Sequence, residues 1–151
     1  VLDDNLLESF QTKSFGGLMS KPLRILLVDD FEMIRSLLKQ ALKQLGYNDL
    51  TEAVDGVDAF EKISKAKAEG KPFDLVFLDW NMPKMSGIEV VQKCKADEGL
   101  KALPFIMITA EREQKSVVTA LKAGVSDYVI KPFSPRQLAS KIERILTSTA
   151  A

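Results

Sequence analysis

Five polar side chains fall where apolar runs of this chain stop. Asp29 and Asp30 follow Arg24–Val28, Asp79 follows Phe73–Leu78, Thr109 closes Phe105–Thr109, and Lys131 follows Asp127–Ile130. Carboxylates gathered in one crevice repel each other and raise one another's pKa. A divalent cation relieves that repulsion, and an all-oxygen donor set suits Mg2+, which keeps several waters and takes one or two carboxylates together with a phosphate. A carboxylate is also a nucleophile toward phosphorus. Lys131 supplies a point charge and Thr109 a hydroxyl donor for a phosphate oxygen. The chemistry these residue types suggest is phosphoryl transfer onto an aspartate, with positioning and charge stabilisation as the main catalytic work.

For that to happen one edge of a sheet must carry all five. The runs Arg24–Val28, Leu50–Val54, Phe73–Leu78, Phe105–Thr109 and Asp127–Ile130 are mostly continuous in apolar residues, as strands covered on both faces are. Helical spacing separates them. Phe31, Ile34, Leu38, Ala41 and Leu45 form a first stripe, closed by Gly46. Ala59, Ile63 and Ala66 form a second, broken by Gly70-Lys71-Pro72; Ile88 and Val91 begin a third; Val117, Ala120 and Leu121 lie in a fourth; Leu138, Ile142 and Ile145 in a fifth. Strict alternation of strand and helix predicts an α/β fold, a doubly wound five-stranded parallel sheet with five helices. Ligands of such sheets bind outside the carboxyl ends of the strands.

Each of these residues also has an ordinary structural reading. Asp30 can cap the first helix, and Asp29 with Glu32 mimics a capping box. Asp79 can end a strand ahead of Pro83, Thr109 can be a plain strand-end residue, and Lys131 a solvated lysine beside Pro132. Singly these readings weigh as much as the functional ones. Taken together, at one sheet edge, they do not.

Composition narrows the classes further. The chain has 151 residues, room for one domain of ordinary size. Lys plus Arg number 21 and so do Asp plus Glu, so no global basic balance points to nucleic acid. There is no histidine, which removes imidazole catalysis and imidazole metal sites, and the single Cys94 reads as a small buried hydrophobe with no internal disulfide partner. No apolar run approaches the roughly 20 residues of a membrane span. Met19 reads as a natural start, so residues 1–20 are expected to be an N-terminal leader, flexible or added artificially, with Leu2, Leu6, Leu7 and Phe10 able to line one face of a short helix. The domain is expected over 21–148, leaving no room for a C-terminal output domain.

The stretches Leu27-Val28-Asp29-Asp30-Phe31, Leu78-Asp79-Trp80-Asn81-Met82-Pro83, Thr109-Ala110-Glu111 and Tyr128-Val129-Ile130-Lys131-Pro132-Phe133 resemble those of response-regulator receiver domains, most of all the single-domain receivers of chemotaxis, over roughly Leu23 to Leu146. The resemblance implies a flavodoxin-like sheet of strand order 2-1-3-4-5. It implies that Asp79 accepts a phosphoryl group from a sensor histidine kinase or a small donor. Mg2+ would be bound by Asp30, Asp79 and the backbone carbonyl of Asn81, with Asp29 acting largely through water. Lys131 would pair with the phosphate across a cis bond to Pro132. Thr109, with Ala110 beside it, and Tyr128 would form the phosphate-sensing switch, while Asn81 and Glu111 would tune autodephosphorylation. The output surface would lie around Lys115, Lys122, Tyr128 and Lys141.

The function so implied is a stand-alone cytoplasmic, monomeric signalling switch, not an enzyme on external substrates, that phosphorylates itself from small donors and binds neither nucleic acid nor membrane. Its partners would be a chemotaxis-type histidine kinase, a phosphatase and the flagellar motor switch protein. A phosphorelay intermediate or phosphate sink, passing its phosphoryl group to a His-containing phosphotransfer protein, is the alternative. A Mg2+ hydrolase working through an aspartyl-phosphate would need a second acid where Asn81 stands, and a flavin-binding domain would need a Ser/Thr/Gly-rich loop after the first strand.

Overall fold

Apolar side chains on both faces of a strand require cover on both faces, and the chain supplies it by alternating strands with helices. The computed structural model describes residues 22–150; the leader proposed for residues 1–20 lies outside them. In chain order the elements are β1 (Arg24–Val28), α1 (Glu32–Gln44), β2 (Asp49–Ala53), α2 (Gly56–Ala68), β3 (Leu75–Leu78), α3 (Gly87–Lys95), β4 (Phe105–Thr109), α4 (Gln114–Ala123), β5 (Asp127–Ile130) and α5 (Pro135–Ala150). The strands pair in parallel in the order β2-β1-β3-β4-β5. This is the flavodoxin-like sheet expected.

Two cores flank it. Ile25, Leu27, Leu75, Phe77, Ile106 and Ile108 face Leu38 and Leu42 of α1 and Leu138 and Ile142 of α5. The alternate residues Leu26, Val28, Val76, Leu78, Phe105 and Met107 face Ile63 of α2, Val90, Val91 and Cys94 of α3, and Ala120 of α4. Each fully buried Leu, Ile or Phe contributes about 1.5–3 kcal/mol over leaving it exposed. Cys94 is wholly buried, and burial pushes its thiol up to about 11, so it behaves as the small hydrophobe expected.

Some boundaries and stripes differ from the sequence reading. β2 begins and ends one residue earlier than Leu50–Val54, leaving Val54 exposed. β3 starts at Leu75, not Phe73: Pro72 has no N–H to give, and Asp74 is tied to Arg24 by its amide and its carboxylate, each at 2.8 Å. Phe31 is 62% exposed and serves as N-cap of α1, so the buried stripe of that helix starts beyond it. Leu121 is 48% exposed, so the buried face of α4 is narrower than its spacing suggests. Gly46 and Gly70 take positive φ where helices α1 and α2 give out, as their positions predict.

Candidate functional site

Topology places the polar residues. Val28 lies opposite Leu78 in the β1–β3 ladder, and the Asp79 amide donates to the Val28 carbonyl at 3.1 Å, so Asp29 and Asp79 leave adjacent strands side by side. On the other flank the Lys131 amide donates to the Thr109 carbonyl at 2.9 Å. Asp29, Asp30 and Asp79 each offer a carboxylate oxygen within 4.8 Å of the others. Neither capping alternative holds. Asp29 Oδ1 accepts from the Phe31 amide at 2.9 Å, a turn bond outside the helix, and α1 has no side-chain cap.

Lys131 ties the cluster together. Its Nζ donates to Asp29 Oδ2 and to Asp79 Oδ2, both at 2.9 Å. Asp29 is 1% exposed and Asp79 7%. Burial raises the Asp29 carboxyl above its ordinary range despite the bonds from Lys131 and the Phe31 amide. Burial also works against the Lys131 ammonium, but its hydrogen bonds to Asp29 and Asp79 outweigh it and hold the pKa above the ordinary lysine value. One ammonium among three carboxylates leaves excess negative charge in a cleft whose clustered metal donors, among the described residues, are carboxylate oxygens. Such a donor set fits a hard divalent cation.

Around this centre lie the remaining residues singled out above. Thr109 is buried, and its Oγ1 accepts from the Glu111 amide at 3.4 Å; Ala110 is exposed beside it. Asp79 Oδ1 accepts from the Trp80 amide at 2.7 Å, Trp80 packs against the core under α3, and Asn81 is exposed. The Lys131–Pro132 bond is cis. Of the residues assigned to an output surface, Lys115 pairs with Glu113 and Lys141 with Asp127, while Lys122 is exposed.

Tyr128 sits half-buried on the core that also receives Trp80, and its hydroxyl donates to the Glu111 carbonyl at 2.7 Å. Burial, then the negative charges of Glu111 and Asp79, push the phenol up to about 12. The folded state therefore holds this proton more tightly than the unfolded chain. That stabilisation is complete below the unfolded value of 10.0 and is lost as pH rises through about 12. In an alkaline absorbance titration of the two tyrosines, Tyr128→Phe is expected to remove a step near pH 12. Removal of a step near pH 10 instead would mean the ring is not held in this seat.

Residues 25–143 match the family described as Response regulator receiver domain. The chain belongs to that receiver family. It is 45% identical to chemotaxis protein CheY1 of Helicobacter pylori over 124 residues, 82% of this chain and 97% of that one. It is 41% identical to chemotaxis protein CheY-3 of Vibrio cholerae over 129 residues, 85% of this chain and 95% of that one. Among solved structures, the CheX–CheY–BeF3–Mg2+ complex of Borrelia burgdorferi matches with TM-score 0.76 and 27% identity, over 84% of this chain and 91% of that one. The chain is thus a receiver domain of the chemotaxis type, a family of two-component signalling switches.

Several residues that shape the receiver's site escape a sequence reading. Arg35 donates to the Asp29 carbonyl at 2.8 Å and to Glu52 at 2.9 Å. Gly87, the first residue of α3, lies so close to the acceptor strand that a β-carbon there would sit 2.1 Å from the Asp79 carbonyl oxygen. Lys84, at positive φ, brings its ammonium 3.6 Å from Asp55, the N-cap of α2. Arg35 and Glu52 are 17 residues apart and carry no local signal for their meeting. Gly87 could have been suspected, because a glycine opening a helix four residues after Pro83 asks for a reason.

Proposed function

We propose that this receiver is a phosphorylation switch whose acceptor is Asp79. One observation carries the reading: Lys131 bridges the buried carboxylates of Asp29 and Asp79 at 2.9 Å each, with the exposed carboxylate of Asp30 beside them. Asp30, Asp79 and the Asn81 carbonyl would hold Mg2+, with Asp29 acting largely through water; when bound, the ion neutralises charge between the carboxylates and an incoming phosphoryl group.

The chain's own residues do the rest. Asp79 attacks phosphorus, and the P–N bond of a phosphohistidine, or the P–O bond of an acyl phosphate such as acetyl phosphate, breaks with the electron pair leaving on that nitrogen or oxygen. The ammonium of Lys131, already placed on Asp79, turns to a phosphoryl oxygen and offsets about two added negative charges. The Thr109 hydroxyl, which accepts only a long bond from the Glu111 amide, swings to donate to another phosphoryl oxygen. That motion frees the space into which the half-buried Tyr128 ring settles, so the phosphorylation state is carried to the surface of α4, β5 and α5. Asn81 and Glu111 at the rim govern how readily water returns to the phosphoryl group.

The relatives, which are chemotaxis proteins, support a finer reading. A cytoplasmic histidine kinase donates, and the phosphorylated receiver binds the flagellar motor switch. Addition of Mg2+ and then acetyl phosphate should quench the fluorescence of Trp80, the single tryptophan, in two steps. A folded protein indifferent to both would end the switch reading. The target is decided separately: protein activated with beryllofluoride should retain a motor switch protein on a column that the untreated protein does not. Retention of a His-containing phosphotransfer protein instead would make this receiver a relay intermediate or phosphate sink.

A further inference from the structure

Asp30 is the least supported of the three carboxylates. It is exposed, and its side chain makes no hydrogen bond or ion pair among the described residues. Asp29 is held by the Phe31 amide and Lys131, and Asp79 by the Trp80 amide and Lys131. The direction of the Asp30 carboxylate therefore depends on its backbone. The peptide that joins Asp29 to Asp30 lies just past the end of β1, where the ladder no longer pairs the Asp29 carbonyl.

That carbonyl is not left to solvent. Arg35, one turn into α1 and with a side chain only 11% exposed, donates Nη1 to it at 2.8 Å. Its Nε is at the same time fixed on Glu52 Oε1 at 2.9 Å. Glu52 is itself anchored: Oε2 accepts from Lys39 at 3.0 Å, and its backbone carbonyl accepts from Lys62 at 2.6 Å. The bonds from Lys39 and Arg35 hold the Glu52 carboxyl below its usual range, so it stays ionised and balances the guanidinium. A planar fork held at one end by a fixed carboxylate grips the Asp29–Asp30 peptide with the other.

We infer that Arg35 is a positioning residue for the metal site, orienting the Asp30 carboxylate through the Asp29 carbonyl, with Glu52 cancelling a positive charge that would otherwise oppose the cation. The inference rests on the metal-site reading given above. Its sign is diagnostic. Removing a cation next to a cation site strengthens metal binding if charge alone matters, whereas removing the grip weakens it. Partners that orient metal ligands cost about tenfold or more in affinity when lost.

The test is an Mg2+ titration of Trp80 fluorescence, without phosphodonor, on the full chain at a temperature well below melting. Arg35→Ala is expected to raise the Mg2+ dissociation constant about tenfold. Arg35→Lys keeps the charge but not the fork, and is expected to weaken binding severalfold as well. Melting in EDTA establishes that each variant is folded. Should Arg35→Ala not fold, Arg35→Lys alone decides, since an electrostatic role predicts an unchanged constant for it. A wild-type response with unchanged or tighter binding in the variants overturns the role of Arg35 and leaves the metal site standing. A wild-type protein that ignores Mg2+ overturns both.

Discussion

Asp79→Asn is expected to yield a folded protein that takes up no phosphoryl group from acetyl phosphate and Mg2+, as read by intact mass. Thr109 and Lys131 remain in the cleft of the variant, but neither replaces a carboxylate as acceptor of an acyl phosphate. The same substitution is expected to stabilise the metal-free protein by about 1 kcal/mol, a rise of about 3 °C in melting temperature in EDTA. The sign follows from the crowding: Asp29 and Asp79 share a single ammonium with a third carboxylate, Asp30, close by, and Lys131 keeps Asp29 as partner when Asp79 is neutralised. A variant that still gains phosphoryl mass would move the acceptor elsewhere. One that melts lower in EDTA would mean the Asp79–Lys131 bond outweighs the repulsion.

Gly87→Ala is expected to cost about 2–4 kcal/mol of stability, or roughly 5–10 °C. On helix propensity alone the change would stabilise by about 0.5–1 kcal/mol. Packing reverses the sign, because the new β-carbon would lie 2.1 Å from the Asp79 carbonyl oxygen and 3.0 Å from its carbon, and backbone cannot step aside as a side-chain tip can. Phosphorylation should slow as well, since what must shift is the acceptor's own main chain, to which α3 is pinned by the Gly87 amide on the Trp80 carbonyl at 2.8 Å. Gly70→Ala is the natural control. It has nothing within 4 Å of the added atom but a φ of +73°, so only the left-handed penalty of about 1–2 kcal/mol applies. A loss at Gly87 no larger than that at Gly70 would show that the Asp79 main chain yields to the added atom and that the close approach does not govern this position.

The contrast between these two glycines also marks what a sequence can tell. Strand ends were legible because a polar residue after an apolar run is a local signal, and parallel topology then gathers such ends without further information. That is how Asp29, Asp79, Thr109 and Lys131 came to one edge on paper as they do in space. Gly70 was legible too, since it ends a stripe. What stayed hidden depends on how elements approach one another: Gly87 against Asp79, Gly56 against Met85, and the fork of Arg35 between Glu52 and the Asp29 carbonyl. The first stripe, with Phe31, and the fourth, with Leu121, misled for the same reason, because apolar spacing names a face but not how far the neighbouring sheet extends over it.

The sheet order divides the cleft unequally. Asp29 and Asp79 leave β1 and β3, each clasped by a strand on either side, whereas Lys131 leaves β5, which is the margin of the sheet and pairs with β4 alone. The acids thus stand on the stiff interior of the molecule and the lysine on its compliant border. A pull on Lys131 is resisted by a single ladder, and that border is shared with Tyr128 and leads directly into α5. Whatever is added between the acids and the lysine will tend to move the side with less holding it, so the direction in which a change at the cleft travels is set by strand order before any side chain turns.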